Sequence, residues 1–296
     1  MDITDFGNMI LLSLARYVLI LIISYALTAF SFPYLYRFMV EAELVKANFR
    51  EERIPAVAGL IFLVLLPLTT ALGMLFKVES FSTINAVLFL WTALGMGLIG
   101  FIDDAVGTHE YKGFKGHLRA LFRENRLTTG GFKAFFGAIV AMVFSAATAN
   151  LLSPHFSPWM IVMNFLLVAL SANTINLFDL RPGRAGKVFI FAFILILLLS
   201  KDFEKYAGMF IPILAIMLFY LPFDLKARVM MGDVGSNLLG ATLGVMMAWM
   251  LSDTGKIIAV SLLILFHLAA EKISFSKVIE GNRLLRSLDK LGRRRY

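Results

Sequence analysis

The chain has 296 residues, of which 59% are hydrophobic and 16% charged, and it carries a formal net charge of +8. A soluble domain of this length has about a quarter of its residues charged, so the composition excludes a single water-exposed globule and calls for lipid. Cysteine is absent, which rules out disulfides and thiolate metal sites and leaves the redox compartment open.

The first apolar run, 9–32, is too long for the apolar stretch of a secretory leader and has no basic segment ahead of it. A retained first span is expected rather than a cleaved one. Ile54 to Phe76 follows without a charge, over a length that crosses about 30 Å of hydrocarbon as helix. Further spans are expected near 84–102, 132–152, 157–176, 186–200, 206–222, 234–252 and 256–274, giving an all-α polytopic bundle of about nine spans. The sixth is short, because Lys187 and Lys201 bound it. No fixed-period repeat or low-complexity tract interrupts this pattern.

Nine spans sort the connections into two sets. Residues 33–53, 103–131, 177–187, 223–233 and the stretch after 271 hold most of the Lys and Arg, whereas the other set holds Lys77, Lys201, Lys205 and Lys256. The positive-inside rule makes the basic set cytoplasmic, with the N-terminus outside and the C-terminus inside. The positive charge is thereby assigned to a membrane surface, and nucleic acid is not expected as a partner. The domain reading is a transmembrane catalytic domain over 1–274 and a basic amphipathic cytoplasmic tail over 275–296, ending in Arg293, Arg294 and Arg295. A helix lying on anionic lipid is the default meaning of such a tail.

Three cytoplasmic junctions carry acids. In Gly100-Phe101-Ile102-Asp103-Asp104 two adjacent carboxylates end the third span. Carboxylates beside hydrocarbon mark function, and two together repel unless a cation or proton intervenes; the bland alternative is a solvated helix end. In Asn173-Thr174-Ile175-Asn176-Leu177-Phe178-Asp179 the three polar residues recur every third position, on one helix face. The amides suit sugar or phosphate and Asp179 a hard cation, unless the set is an interhelical clamp. Met231-Gly232-Asp233-Val234-Gly235-Ser236 opens the eighth span, where glycine and free N–H groups suit phosphate and Asp233 suits an N-cap. Around these stand Lys112, Lys115, His117, Arg119, Arg123 and Arg126 in one loop, and Arg181, Arg184 and Lys187 in another. Such residues fit phosphates, although topology alone would also put them there. His109, His155 and His267 show no metal-ligand spacing.

Lys46-Ala47-Asn48 with Ile54-Pro55, then the Asp103-Asp104, Asn173-to-Asp179 and Met231-to-Ser236 motifs, resemble in order and spacing the polyprenyl-phosphate N-acetylhexosamine-1-phosphate transferases. That family includes the phospho-MurNAc-pentapeptide translocase and the enzymes that begin teichoic acid and O-antigen synthesis. The resemblance implies Mg²⁺-dependent transfer of a sugar-1-phosphate from a UDP-sugar to undecaprenyl phosphate, with release of UMP. It also implies a bacterial cytoplasmic membrane location, an active site on the cytoplasmic face, and a homodimer. By position, Asp103 acts on the lipid phosphate as base or nucleophile, Asp104 supports it, and Asp179 holds Mg²⁺. Asn173 and Asn176 line the nucleotide site and Asp233 stabilises the pocket. Lys46, Asn48, Lys112, Lys115, Arg181, Arg184, Gly235 and Ser236 complete the substrate-binding set.

The sequence departs from the family pattern in three ways. The usual Gly-x-Asp-Gly-Leu-Ala after the metal aspartate is here Leu180-Arg181-Pro182-Gly183-Arg184-Ala185, a His-rich loop is missing before the last span, and nine spans stand where ten or eleven are common. Arg181 and Arg184 are the candidates to replace the histidines as phosphate ligands. Two other readings stay open: an inactive relative that binds lipid or sugar nucleotide and regulates a partner, and a transporter. The transporter reading conflicts with acids gathered at one mouth rather than at the midplane between repeats.

Overall fold

The computed structural model describes residues 3–76, 82–107, 128–151 and 157–293. Among them are eleven helices and one two-stranded hairpin. In chain order these are α1 (Ile3–Glu41), the hairpin strands β1 (Val45–Ala47) and β2 (Arg53–Pro55), α2 (Leu60–Leu75), α3 (Thr83–Val106), α4 (Thr129–Leu151), α5 (Pro158–Phe178) and α6 (Arg184–Leu199). They continue with α7 (Phe203–Leu225), α8 (Gly232–Met250), α9 (Asp253–Lys272), α10 (Phe275–Gly281) and α11 (Arg283–Lys290).

Helices α1 to α9 occupy the nine stretches expected as spans. Six of them are long and apolar enough to cross a membrane, over Leu11–Glu41, Thr83–Val106, Thr129–Asn150, Pro158–Phe178, Lys205–Leu225 and Asp253–Lys272. Helices α2 and α6 have 16 residues each. Helix α8 has 19, and its weaker apolar character has a physical cause. It is the axis of the bundle, packed chiefly by α5 and α3 and further by α6 and α2, with nearly every residue from Val234 to Met250 buried. A helix sheathed by protein is not selected for lipid solubility; small residues that let backbones approach are favoured instead. A Cβ on Gly240 would stand 2.3 Å from the Ser171 carbonyl oxygen, and one on Gly244 2.5 Å from the Val168 Cα.

The second expected span, 54–76, is divided. Val45 pairs with Pro55, Lys46 with Ile54 and Ala47 with Arg53 in an antiparallel hairpin, and the helix starts only at Leu60. Between them the backbone is spent on long-range bonds: Ala56 N–H donates to the Leu44 carbonyl, Ala58 to Met230 and Gly59 to Met231, each at 2.9 Å. An uncharged run hid this because the hairpin's buried residues, Ile54 to Gly59, are as apolar as the helix that follows. At its other end α3 runs on to Val106, so Asp103 and Asp104 lie within the last turn. The start of the tail packs on the bundle: Phe275 stacks on Phe266 with ring centroids 4.4 Å apart, and Phe266 on Phe178 at 5.3 Å.

Candidate active site

The three acidic motifs meet at one end of the bundle because α3, α5 and α8 are packed closely there. Gly100 makes the α3–α8 contact: a Cβ at this position would stand 2.2 Å from the Asp233 carbonyl oxygen and 2.7 Å from Asn237 Nδ2. One turn further on, Asp104 Oδ2 accepts a hydrogen bond of 3.1 Å from the Val234 N–H, an orphan donor of the α8 N-terminus. Gly232 adopts φ +73°, and a side chain there would sit 2.6 Å from Asp104 Oδ2. This one position therefore requires glycine on two counts.

Lys133, at the start of α4, enters the cluster. Its ammonium pairs with Asp233 and lies 3.6 Å from Asp103 Oδ2. The Asn176 amide is satisfied when its nitrogen donates to Asp233 Oδ1 at 3.1 Å and its oxygen accepts from Lys133 Nζ at 3.1 Å. Ser236 Oγ, fully buried, lies 3.3 Å from the same amide. Asp233 does not take the N-cap position expected for it: it lies inside the first turn of α8, whose cap is Met231, and its carboxylate is shared by residues of α4 and α5. Of the adjacent acids, Asp104 is tethered by a backbone bond, while the Asp103 carboxylate makes only the long contact to Lys133 among the described residues.

Asp179 caps the C-terminal end of α5 and accepts from the Gly232 N–H. Burial drives its carboxyl well above the ordinary range, the carboxylates of Asp224, Asp233 and Asp104 push it further, and the Gly232 N–H opposes them. Asp224, near the end of α7 and 3% exposed, accepts from the Gly183 N–H, and its Oδ2 has no hydrogen-bond partner. Asp179 and Asp224 both line a cleft of about 180 Å³ with Asn48, Arg181 and Pro182. A second cleft of about 190 Å³ adjoins it through Phe49, Arg181, Pro182 and Ala227 and brings in Arg50 and Arg293. Acids lie at the inner end and guanidinium groups at the rim. On the other side of α5, one turn from Asn176, an apolar groove of about 600 Å³ runs between α5, α6, α8 and α9, from Thr174 and Phe266 to Leu251 and Leu199.

The family model described as glycosyl transferase family 4 matches residues 86–251, which includes all three acidic motifs. The chain belongs to glycosyl transferase family 4. A phospho-N-acetylmuramoyl-pentapeptide-transferase from Staphylococcus aureus is 28% identical over 249 residues, covering 78% of this chain and 75% of that protein. One from Staphylococcus epidermidis is 27% identical over 256 residues with the same coverage. One from Fervidobacterium nodosum is 28% identical over 193 residues, covering 64% of this chain and 57% of that protein. With relatives of this kind and six helices of membrane-crossing character, this family 4 glycosyl transferase is a multi-pass bacterial membrane protein.

Several residues expected to meet substrate have other contacts in this family 4 member. Arg184 is 4% exposed and forks onto Asp289 at 2.8 and 3.1 Å, with Ser276 Oγ at 2.9 Å. Its guanidinium is committed to the tail; Arg181 lines the cleft instead. Gly235 abuts Gly59, where a Cβ on Gly59 would stand 2.3 Å from the Gly235 Cα, so it serves helix contact. Asn48 accepts from the Arg50 and Glu52 N–H groups and donates to Ala227 O at 3.1 Å, closing the hairpin against the α7–α8 connection while still facing the cleft. Asn173 is exposed on α5 and joins none of the cluster's bonds. Lys46 is exposed on β1, within electrostatic reach of Asp104. Lys112 and Lys115, with the rest of their basic loop, lie outside the described residues.

The sequence reading missed Lys133 and Asp224 as site residues. Each had a signal: a charge inside or at the edge of an apolar segment, in Phe132-Lys133-Ala134 and Phe223-Asp224-Leu225. Neither belongs to a multi-residue motif, and only the packing of α4 and α7 brings them to the others.

Proposed function

We propose that this chain transfers a sugar-1-phosphate from a UDP-sugar to undecaprenyl phosphate and releases UMP, initiating a cell-envelope glycan. The observation that carries this reading is the meeting of Asp103, Asp104, Asp179 and Asp233 where α3, α5 and α8 converge, with an arginine-rimmed cleft that Asp179 lines and an apolar groove along α5. A nucleotide diphosphate suits the first and a polyprenyl chain the second. In the reaction a lipid-phosphate oxygen bonds to the sugar-bearing phosphorus, and the bond from that phosphorus to the bridging oxygen breaks. Catalysis of phosphoryl transfer rests on positioning and electrostatics. Asp103, the less tethered acid, meets the lipid phosphate as its base. Asp104 fixes the α3 end against α8, and Lys133 keeps Asp103 and Asp233 from repelling each other.

The donor set fits Mg²⁺. Among the described residues no three acidic, His or Cys side chains stand close enough to hold an ion unaided. Mg²⁺ needs less than that, since it commonly takes one or two carboxylates, substrate phosphate oxygens and water. Asp179, crowded by three other carboxylates, is the residue that a cation would relieve most, and Asp233 and Asp104 flank it. When bound, the ion would neutralise the pyrophosphate and the developing charge on the leaving UMP.

The same reading has nine crossings, the N-terminus outside and the site on the cytoplasmic face. It is supported by the described Lys- and Arg-bearing connections, the 45–55 hairpin, 179–183 and 226–231, which lie together at the end of the bundle that carries the acids.

Purified protein in detergent, supplied with undecaprenyl phosphate, Mg²⁺ and a panel of UDP-sugars, is expected to release UMP. Asp103→Asn and Asp179→Asn should each lower the rate at least about a hundredfold, the scale of lost acid–base or electrostatic catalysis, while eluting as folded protein. Near-normal rates in both variants sink the assignment. Nucleotide or lipid binding without UMP release by the wild type favours the regulatory relative.

A further inference from the structure

The transferase reading makes no use of the tail. Helix α11 carries Leu284 and Leu288 four residues apart, and Leu291 follows three later, on one face. They are 69%, 54% and 66% exposed. Arg283, Arg286 and Lys290 are exposed along the adjoining face. Leucines beside a row of cations are the composition of a helix that lies in the boundary of an anionic bilayer, apolar side down. An acidic protein groove would satisfy the cations, but the position favours lipid: α10 and α11 continue directly from α9, whose outward leucines Leu265 and Leu268 are about 60% exposed.

The third face of α11 grips the site. Asp289 binds both Arg184 and Arg293 at 2.8 Å, and Arg293 Nε donates to the Pro182 carbonyl at 2.7 Å. Lys187 Nζ donates to the carbonyls of Leu288, Asp289 and Leu291. Pro182 and Arg181 belong to the short connection that leads from Asp179 to α6, and Gly183 donates to Asp224. The connection bearing Asp179 is therefore clamped from outside by residues of a helix whose other faces are built for a membrane surface.

We propose that α11 docks on anionic lipid headgroups and that, through the Asp289 clamp, this docking holds the Asp179 connection in place. The proposal is independent of the transferase reading and is tested without turnover. Because the chain has no cysteine, Leu288→Cys and Ser287→Cys accept an environment-sensitive fluorophore at one site each. In vesicles of phosphatidylcholine with phosphatidylglycerol, the Leu288 label is expected to shift to the blue and to be quenched by nitroxide lipid, and the Ser287 label much less. Phosphatidylcholine alone should weaken the effect severalfold. Water-like emission from Leu288 in both vesicles overturns the docking, and equal quenching in both overturns the anionic preference. A spin label at Leu180→Cys, beside Asp179, is expected to be immobilised in the anionic vesicles and mobile in the neutral ones, with Asp289→Asn abolishing the difference. A Leu180 label indifferent to lipid, while the Leu288 label responds, overturns the coupling.

Discussion

Asp289, outside the acidic cluster, holds the guanidinium groups of Arg184 and Arg293 at once. Burial alone would raise its carboxyl, but the hydrogen bond from Arg184 and the charges of Arg293, Arg184 and Lys187 outweigh this and hold it below the ordinary value. A depressed carboxylate stabilises the fold above the unfolded-state pKa of about 4, and the contribution fades as pH falls through the lower folded-state value. The Tm difference between wild type and Asp289→Asn in detergent is therefore expected to be constant from neutral pH to about 5 and to close below about 4. A difference that persists at the lowest pH would mean that the clamp is not ionic. Removing the carboxylate altogether, as Asp289→Ala, strands the buried Arg184 and should cost about 3 kcal/mol. The paired aspartates and the Asn176–Asp179 spacing were legible in the sequence because they are local. The Arg184 clamp was not: its partner lies 105 residues away, and an arginine in a basic loop reads the same whether it faces phosphate or a buried carboxylate.

At the scale of elements, the α3–α8 contact decides where the acids stand. Gly100 has no room for a methyl group against the Asp233 backbone, and overpacking of this kind costs about 1–3 kcal/mol. Gly100→Ala should lower Tm and also loosen the Asp104–Val234 bond one turn away, so that UMP release falls further than stability alone accounts for. A variant with wild-type Tm and rate would show that α3 shifts freely along α8. The sequence announced helices wherever lipid imposes apolar runs of about twenty residues. It did not announce the hairpin, because Ile54 to Gly59 and the start of α2 are equally apolar for different reasons. The former is buried under the α7–α8 connection, the latter inside the bundle.

For the whole molecule, the reading of orientation is open to direct test. With no native cysteine, Lys201→Cys on intact cells is expected to react with a membrane-impermeant maleimide, and Lys226→Cys only after lysis; the reverse pattern inverts the topology. The central place of α8 was hidden for the same reason that it is central: wrapped by other helices, it needs no lipid-like composition. Helix α9 is its opposite, with only Lys256 and Val260 buried and its main contact on α5. It forms the outer wall of the apolar groove, and a wall held along one side yields easily. A container with one yielding wall measures length poorly, so on the proposed transferase reading carriers with more or fewer isoprene units would fit it about equally well, and discrimination among lipids would fall to the charged head.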